Sequence, residues 1–548
     1  MSFSTYSPLS GAEWRSGSND LHHTGFSPQT RINQLNVNSL QIKWVYQVPE
    51  NPYLDAKLRS AKGVQTSPLV IGGIVFFATN YNRMIALDAR TGEEMWFHQV
   101  DLEASKTKPW CSGSARQHNI VFYREAIYML ASDGTIYAFD PRTGAVKLTI
   151  PETCKDIPGN QGRYLAEAAP SFYGDIALVG AGGGGWWNGR GYVAAYSLKS
   201  HELLWRWFSS PPAGGDPDWD RDAHKGNIKP YSGDWGSIGP WGGGVVWTRG
   251  IVDEETGIFY ALTSNSCVGP FDASHRPGPH LYSGSVVALD ARSGEMLWYY
   301  QVTPHDLNGH QPGWSPLLAT ANISGAARKV IIAASKGGYI YVLDSRTGSL
   351  VYEPVKIGPP TLNAPNTNAG NEANYLLSQK DICGKIYCPA EQGGIAASNA
   401  FAYNTIYTTF QRCGSRYKIG TAVEGGRETD YYDLDFFVPT EELPEGWDNT
   451  STLYAIDASN GKVKWTFNMP ARYQSASLAV SGGVVYAVDR AGTLYAIDAH
   501  NGYPLKRIKL GGVGQAGVSI GANSRGEMML FVPVGNIVAA LGLPENGR

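Results

Sequence analysis

A short acidic or polar turn recurs seven times along the chain, each time directly after an alternating apolar run. In most copies an aspartate opens the turn and a glycine closes it, as in the stretch from Asp88 to Gly92. Recurrence at roughly 50-residue intervals indicates one unit copied along the chain, and such units bury their faces only against their neighbours. The copies lie at 86–92, 139–144, 196–200, 289–294, 343–348, 456–461 and 497–502.

The first complete copy predicts four short antiparallel strands. Apolar residues 68–71 and 74–78 flank a Gly-Gly dipeptide that suits a two-residue hairpin turn. Residues 84–87 lead into Asp88, whose carboxylate can accept backbone N–H groups of its own turn, and 95–97 return as the fourth strand. A large aromatic residue follows several of these turns, and we predict that it packs over the seam between neighbouring sheets. These residues are Trp96, Trp205, Trp298 and Trp465.

The two ends of the chain complement each other. Residues 42–46 read as a fourth strand without the preceding three, and the C-terminal segment 528–532 reads as inner strands. Pairing of these segments would close the ring without an open sheet edge, which gives eight blades. We therefore predict an all-β, eight-bladed β-propeller as a single domain over 1–548, with insertions that form loops on the rim near 211–243, 353–385 and 421–449.

Composition suits one large β domain and excludes several partners. The chain has 65 glycines, 16 tryptophans and a net charge of -3 without a basic stripe, so the sequence indicates no nucleic-acid partner. It contains no apolar run that predicts a membrane span, and its first six residues lack the features of a secretory signal. The expectation is a cytoplasmic protein if Met1 is the native start, and otherwise a secreted or periplasmic one with its leader removed. The sequence leaves self-association open.

The six cysteines permit up to three disulfides without requiring any. Cys383 and Cys388 lack histidines at zinc-ligand spacing, so no zinc site is predicted there. The chain has no Cys-x-x-Cys-His motif, which excludes a covalently attached c-type haem within it.

Four longer sequence segments resemble motifs of the quinoprotein alcohol dehydrogenases, namely residues 66–70, 242–247, 303–306 and 336–344. These are eight-bladed propellers that hold pyrroloquinoline quinone (PQQ) and a Ca²⁺ or lanthanide ion on the ring axis. The resemblance implies that Trp247 stacks on the quinone, that Arg116 pairs with a cofactor carboxylate and that Lys336 lies beside the quinone oxygens. It also implies cofactor contacts for the backbone of Gly183, Gly184 and Gly185, and it places Asn265 at a metal-ligand position.

At other positions the chain departs from the family pattern. Trp186 or Trp187 stands where the family has a metal-binding glutamate, and Gly309 stands where it has a catalytic aspartate. A hard dication needs about six oxygen ligands with net negative charge, which one amide does not supply. We therefore predict that Ca²⁺ or a lanthanide is absent, whereas PQQ remains a candidate cofactor. Further departures are Trp110-Cys111 for a vicinal cysteine pair, Gln65 for a glutamate, Ala396-Ala397 for an asparagine-tryptophan pair, and Val245 for a hydroxyl residue.

Three hypotheses about function stay open. The first is a PQQ-type oxidoreductase with a rebuilt site, the second is a cofactor-independent isomerase, cyclase or lyase in the same axial funnel, and the third is a ligand-binding propeller without chemistry. An aromatic-walled pocket for a small aromatic or polycyclic molecule is predicted from Trp110, His118, Trp186, Trp187, Trp235, Trp241, Trp247 and Asn265. The candidate catalytic residues are His305, Asp306, His310 and Lys336, and the histidines are expected to titrate near neutrality. His305 and Asp306 could instead hydrogen bond within a turn.

Overall fold

The computed structural model describes most of the chain as antiparallel β-sheet. Within this part, helical structure is limited to two single turns of 3-10 helix, Val37–Ser39 and Thr440–Glu442. No helix among these residues is long and apolar enough to cross a membrane. The described residues are 11–49, 63–79, 82–100, 120–131, 133–151, 153, 164–165, 168–183, 190–210, 243–266, 278–306, 308–363, 384–424, 427–435, 438–473 and 476–545.

Eight antiparallel sheets follow one another along the chain as the blades of a propeller, which confirms the predicted fold class. Second strands such as Ile74–Ala78 are buried throughout, whereas fourth strands such as Glu94–Gln99 are largely exposed and therefore lie at the periphery. From first to fourth strand, blade 1 comprises Leu69–Ile71, Ile74–Ala78, Arg83–Asp88 and Glu94–Gln99; blade 2 Val121–Tyr123, Ala126–Leu130, Ile136–Phe139 and Val146–Ile150; blade 3 Ser171–Tyr173, Ile176–Gly183, Tyr192–Ser197 and Leu203–Phe208; and blade 4 Ile251–Asp253, Ile258–Leu262, Ser285–Asp290 and Met296–Gln301.

The last blade is built from both ends of the chain. Gln41–Gln47 pairs antiparallel with Ile537–Gly542, so the predicted closure of the ring is confirmed. Blade 5 comprises Leu317–Ile323, Ala326–Ala334, Tyr339–Asp344 and Val355–Lys356; blade 6 Ala400–Ala402, Thr405–Gln411, Ser451–Asp457 and Val463–Met469; blade 7 Ala479–Ser481, Val484–Val488, Thr493–Asp498 and Pro504–Lys509; and blade 8 Ser519–Ala522, Met528–Val534, Ile537–Gly542 and Gln41–Gln47.

The repeated turn connects the third and fourth strands, and its aspartate acts as predicted. Asp88 Oδ1 accepts hydrogen bonds from the backbone N–H groups of Arg90 (2.8 Å) and Thr91 (2.9 Å). In the weaker copy of blade 3 the Ser197 hydroxyl accepts the equivalent bonds. The same carboxylate bonds recur at Asp140, Asp290, Asp344 and Asp498.

The predicted tryptophans cover the seams between blades. Trp96 packs against Gly144 in the turn of the next blade, and its Nε1 donates to the Pro141 carbonyl at 3.0 Å. Trp44 makes the same contacts with the turn of blade 1, which the sequence analysis did not recognise. Each tryptophan therefore joins one sheet to the next by apolar contact and one hydrogen bond. The further pairs are Trp205 with Gly294, Trp298 with Gly348 and Trp465 with Gly502.

An N-terminal segment, residues 12–25, crosses the centre of the ring. Its carbonyl groups accept backbone hydrogen bonds from the first strands of six different blades. A single segment that contacts blades on opposite sides of the ring must pass through the axis, and its Trp14 and His23 side chains are buried. The donor and acceptor pairs are Ala522 to Ala12, Val70 to Trp14, Phe122 to Arg15, Leu318 to His22, Phe401 to Thr24 and Val480 to Gly25, at 2.8–3.0 Å.

The third insertion differs from the prediction of a rim loop. Ser415–Glu424 and Arg427–Asp435 form a hairpin, and Ile386–Tyr387 adds a third strand to it. In the sequence a Gly-Gly dipeptide separates the two long strands, a pattern that favours a two-residue connection. The parts of the other two insertions at 211–242 and 364–383 lie outside the described residues. Two short strands remain: Phe26–Ser27 pairs with blade 7, and Tyr164–Leu165 pairs with blade 3.

Candidate functional site

The candidate site residues that the structure describes belong to one end of the propeller. Successive strands of a blade are antiparallel, so the connections that follow second strands and fourth strands lie at the same end of the sheet. All of these residues lie in such connections except Gly183, which ends the second strand of blade 3. Trp247 precedes the first strand of blade 4, Asn265 follows its second strand, His305, Asp306 and His310 follow its fourth strand, and Lys336 follows the second strand of blade 5.

Asp306 organises a buried turn. Its Oδ1 atom accepts hydrogen bonds from the backbone N–H groups of Asn308 and His310, both at 3.0 Å. The Oδ2 atom is buried and has no hydrogen-bond partner among the described residues. Burial raises the pKa of Asp306 to about 6, although the two backbone bonds and the Lys336 ammonium oppose the shift. The expected hydrogen bonding within a turn is therefore present.

His310 does not titrate near neutrality, contrary to the expectation from the sequence, and the pKa of His305 is shifted in the same direction. His310 is fully buried, its Nε2 lies 2.8 Å from the Pro389 carbonyl, and burial lowers its pKa to about 4. His305 Nδ1 lies 2.7 Å from the Gly278 carbonyl, and burial also lowers the pKa of His305. Both rings are thus neutral near pH 7 because transfer of an imidazolium into this interior is unfavourable.

Lys336 is held by segments from two other connections. Its backbone N–H donates to the Gln311 carbonyl at 3.1 Å. With the Gln311 amide oriented to satisfy both of its ends, the Lys336 ammonium donates to the amide oxygen at 3.0 Å and the amide nitrogen donates to the Gly309 carbonyl at 2.6 Å. A Cβ atom on Gly394 would overlap the Lys336 carbonyl, so these backbones are in close contact. Lys336 is 5% exposed, which makes it an unusually buried ammonium group.

Glu391 joins this cluster from the connection between blades 5 and 6. A Cβ atom built on Gly309 would overlap Glu391 Cγ and would lie 3.1 Å from its Cδ. Burial raises the pKa of the partly exposed Glu391, and the Lys336 ammonium opposes that rise. The sequence analysis did not select Glu391, since only the fold brings it to Gly309.

An aromatic pair lies next to the lysine cluster. The Trp247 and Trp314 rings are 4.6 Å apart between centroids at an angle of 76°, and both side chains are partly exposed. The Asn265 carbonyl accepts a hydrogen bond from Gly244 N–H at 2.9 Å, which fixes the backbone that leads to Trp247. Trp314 follows Gly313, whose N–H donates to the Ala334 carbonyl two residues before Lys336. Trp314 was not predicted as a site residue.

The family model for the β-propeller domain of glucose, ethanol and alcohol dehydrogenases, the PQQ family, matches residues 14–369, more than half of the chain. The chain belongs to this family. A second model, described as outer membrane protein assembly factor BamB, matches residues 446–540.

Several curated proteins similar to this chain are named as quinone or quinohemoprotein alcohol dehydrogenases. The chain is 28% identical over 397 residues to the dehydrogenase subunit of alcohol dehydrogenase (quinone) from Gluconobacter oxydans, covering 70% of this chain and 50% of the relative. It is 30% identical over 347 residues to quinohemoprotein alcohol dehydrogenase ADH IIB from Pseudomonas putida, covering 62% and 47% respectively. The chain thus spans about half the length of the curated relatives it matches.

Solved structures of the family share the fold. Quinohemoprotein alcohol dehydrogenase from Comamonas testosteroni superimposes with a TM-score of 0.77 at 23% identity, covering 100% of this chain and 83% of that one. A europium-containing methanol dehydrogenase superimposes with a TM-score of 0.75 at 21% identity, covering 95% and 89% respectively. At these identities the likeness establishes the architecture alone.

The residues at this end of the ring suit the family's quinone. A flat anionic quinone requires a cation for its oxygens and an apolar face for its rings. Lys336 supplies the first, and the Trp247 and Trp314 pair offers the second. Asn308 Nδ2 and Asp306 Oδ2 are buried without hydrogen-bond partners in the described part of the chain. The cluster therefore contains polar atoms whose hydrogen-bonding capacity the fold leaves for a ligand.

Other predicted contacts of the family site lie outside the described residues. They are Trp110, Arg116, His118, Gly184, Gly185, Trp186, Trp187, Trp235 and Trp241. Gly183 ends the second strand of blade 3, where its backbone pairs with Tyr164. Of the six cysteines only Cys388 and Cys413 are described, and both are buried free thiols. Within the described ranges no three His, Cys, Asp or Glu residues cluster as a metal site, and the expected loss of the ion stays a prediction.

Proposed function

We propose that the chain forms the catalytic propeller of a PQQ-type oxidoreductase that oxidises a hydroxyl group on a small organic molecule with an aromatic or polycyclic body. The observation that carries the proposal is the buried Lys336 ammonium, which Gln311 holds and which acts on two nearby carboxyl groups. Burying an ammonium is unfavourable. Stabilisation of negative charge on a bound acceptor is a function that would retain it.

The roles of the side chains follow from their chemistry. A bound quinone supplies the electron-accepting chemistry that amino-acid side chains lack. Lys336 would donate to its oxygens, and Trp247 and Trp314 would contact its rings and the apolar body of the substrate. The Asp306 turn fixes the segment that carries Gln311 and so positions Lys336.

Reconstitution tests this proposal. The purified chain should retain PQQ after desalting, its melting temperature should rise with added PQQ, and it should reduce an artificial electron acceptor in the presence of an aryl or polycyclic alcohol. Each assay is run with and without Ca²⁺ or a lanthanide, and bound metal is measured by elemental analysis. Absence of PQQ retention and of any melting shift under all of these conditions would contradict the proposal, and turnover without quinone would favour a cofactor-independent enzyme.

The matched variants are Lys336→Met and Lys462→Met. Lys462 is exposed at the periphery, in the turn before the fourth strand of blade 6. Loss of a charge-assisted contact in a buried site typically costs about 2 kcal/mol, or roughly a 30-fold weaker affinity. Lys336→Met should therefore weaken PQQ binding by this order, whereas Lys462→Met should bind like the parent chain.

A further inference from the structure

The side chain of Glu391 fills the space in front of Gly309. Gly309 has a φ of +69°, and a Cβ atom on it would overlap Glu391 Cγ. The two residues come from different connections, one after blade 4 and one after blade 5. A carboxylate from one connection therefore lies against a glycine of the other, at the position where the sequence analysis expects a carboxylate to be missing.

Glu391 is the most accessible carboxylate of this cluster in the described part of the chain. Asp306 is 0% exposed, and its Oδ1 atom already accepts two backbone hydrogen bonds. His305 and His310 are also fully buried, and each has one ring nitrogen bonded to a carbonyl. Glu391 is partly exposed, so of these two acidic side chains it is the one that presents surface to a substrate entering from this end.

The electrostatic surroundings of Glu391 suit proton transfer. Burial raises its pKa, which makes the carboxylate a stronger base than an ordinary surface glutamate. The charged groups that act with it are Lys336, which favours its ionised form, and Asp306, whose own pKa is raised in part by Glu391. Two carboxyl groups near one ammonium can hold a proton between them without a large net charge.

We propose that Glu391 accepts the proton of the substrate hydroxyl group, an inference that rests on the proposed oxidoreductase function. The O–H bond breaks and its proton moves to a Glu391 oxygen. A bound quinone would supply the two-electron acceptor for the hydrogen that the carbinol carbon gives up. The substrate leaves as an aldehyde or ketone, and Glu391 returns the proton to solvent. The Lys336 ammonium stabilises the negative charge that develops.

The first test replaces the carboxylate by an isosteric amide. Glu391→Gln should lower kcat/KM by about 10²–10⁴-fold, the usual contribution of a general base, with PQQ affinity unchanged. The rise of kcat/KM with pH that reports ionisation of Glu391 should disappear. Glu441→Gln, at an exposed glutamate in a 3-10 turn, is the matched control and should retain parental kinetics.

The second test exchanges the two side chains. Gly309→Asp alone should impair the protein because the new side chain overlaps Glu391. The double variant Gly309→Asp with Glu391→Ala removes the overlap and restores a carboxylate to the same space, and aspartate is among the residues that best tolerate a positive φ. It should recover at least about tenfold of the activity that Glu391→Ala loses, which a merely structural role for Glu391 would not produce.

The third test needs no catalysis. A carboxyl group whose pKa is raised by folding disfavours the folded state once it ionises, so Glu391→Gln should melt at a higher temperature than the parent at about pH 8 and at the same temperature at about pH 4. A stabilising ion pair would give the opposite difference. Quinone binding together with parental turnover of Glu391→Gln would overturn this role alone. Absence of quinone binding by the parent chain would overturn the proposed function and this role with it.

Discussion

His310 shows how burial determines the protonation of single residues at this end of the propeller. Its ring is 0% exposed and its Nε2 contacts the Pro389 carbonyl, so the proton on that nitrogen is already engaged. Burial holds its pKa at about 4, below the ordinary 6.5 of histidine, and the ammonium groups of Lys356 and Lys336 lower it further. The folded state therefore excludes a proton that the unfolded chain accepts between these two values.

We predict that this exclusion destabilises the protein as the pH falls from about 6.5 to about 4, because the unfolded chain binds the extra proton. Asp306 and Glu391 act in the opposite direction because their pKa values are raised. The comparison of His310→Gln with the parent isolates the histidine. Urea midpoints measured at about pH 7.5 and about pH 4.5 should differ less in His310→Gln, and equal differences in both proteins would contradict the prediction.

The sequence predicted residues whose partners are local and missed those whose partners are distant. The Asp88 turn was predictable because donor and acceptor lie within three residues. Glu391, Gln311 and Trp314 were missed because each acquires its role from a contact with another connection or blade. No periodicity in a single chain encodes that Gly309 faces a glutamate more than 80 residues away.

Tryptophan seams join five pairs of neighbouring blades in the described part of the chain. Trp298 of blade 4 lies over Gly348 in the turn of blade 5, and its Nε1 donates to the Ser345 carbonyl at 3.1 Å. The glycine is required twice here, by a φ of +71° and by the absence of space for a side chain. A Cβ atom on Gly348 would lie 2.6 Å from Trp298 Cδ2.

A pair of glycine variants separates these two requirements. Gly325 has a φ of +84° but nothing within 4 Å of an added Cβ, so Gly325→Ala should cost only about 1–2 kcal/mol of backbone strain. Gly348→Ala should cost a further 1–3 kcal/mol, roughly, because the tryptophan must move. Thermal melting of both variants measures the difference, and equal melting temperatures would show that the seam yields without cost.

The acidic hairpin is the element whose secondary structure the amino-acid composition did not indicate. Its strands, Ser415–Glu424 and Arg427–Asp435, were predicted as a rim loop because the segment is rich in acidic residues. A two-stranded hairpin is only marginally stable by itself, and Ile386–Tyr387 adds a third strand to it here. Acidic composition indicates exposure, and it does not exclude regular structure.

At the scale of the whole molecule, two sets of backbone contacts hold the ring together. Pairing of Gln41–Gln47 with Ile537–Gly542 closes the circumference, and the sequence predicted it because both segments were incomplete blades. Residues 12–25 join the first strands of six blades at the axis. These contacts were not predictable from the sequence, because they use backbone atoms and therefore require no recognisable pattern of side chains. The strand pairing prevents blade 8 from opening, whereas the segment at the axis links blades that do not touch each other.

Removal of the axial segment, residues 12–25, should therefore destabilise the propeller, and adding the segment back as a peptide should restore its stability. A chain that starts at residue 28 loses at least seven backbone hydrogen bonds to the blades, including the one from Trp14 N–H to the Val70 carbonyl, and it loses the buried Trp14 side chain. At about 1 kcal/mol per bond this amounts to roughly 7 kcal/mol or more. We expect a much lower melting temperature and binding of a hydrophobic dye. Addition of a synthetic peptide of residues 11–27 should restore the melting temperature in a saturable manner, and the Trp14→Ala peptide should do so only at higher concentration. Since the peptide supplies contacts to six blades on opposite sides of the ring, it should restore a single cooperative melting transition. Parental melting of the truncated chain without peptide would refute the role of the segment.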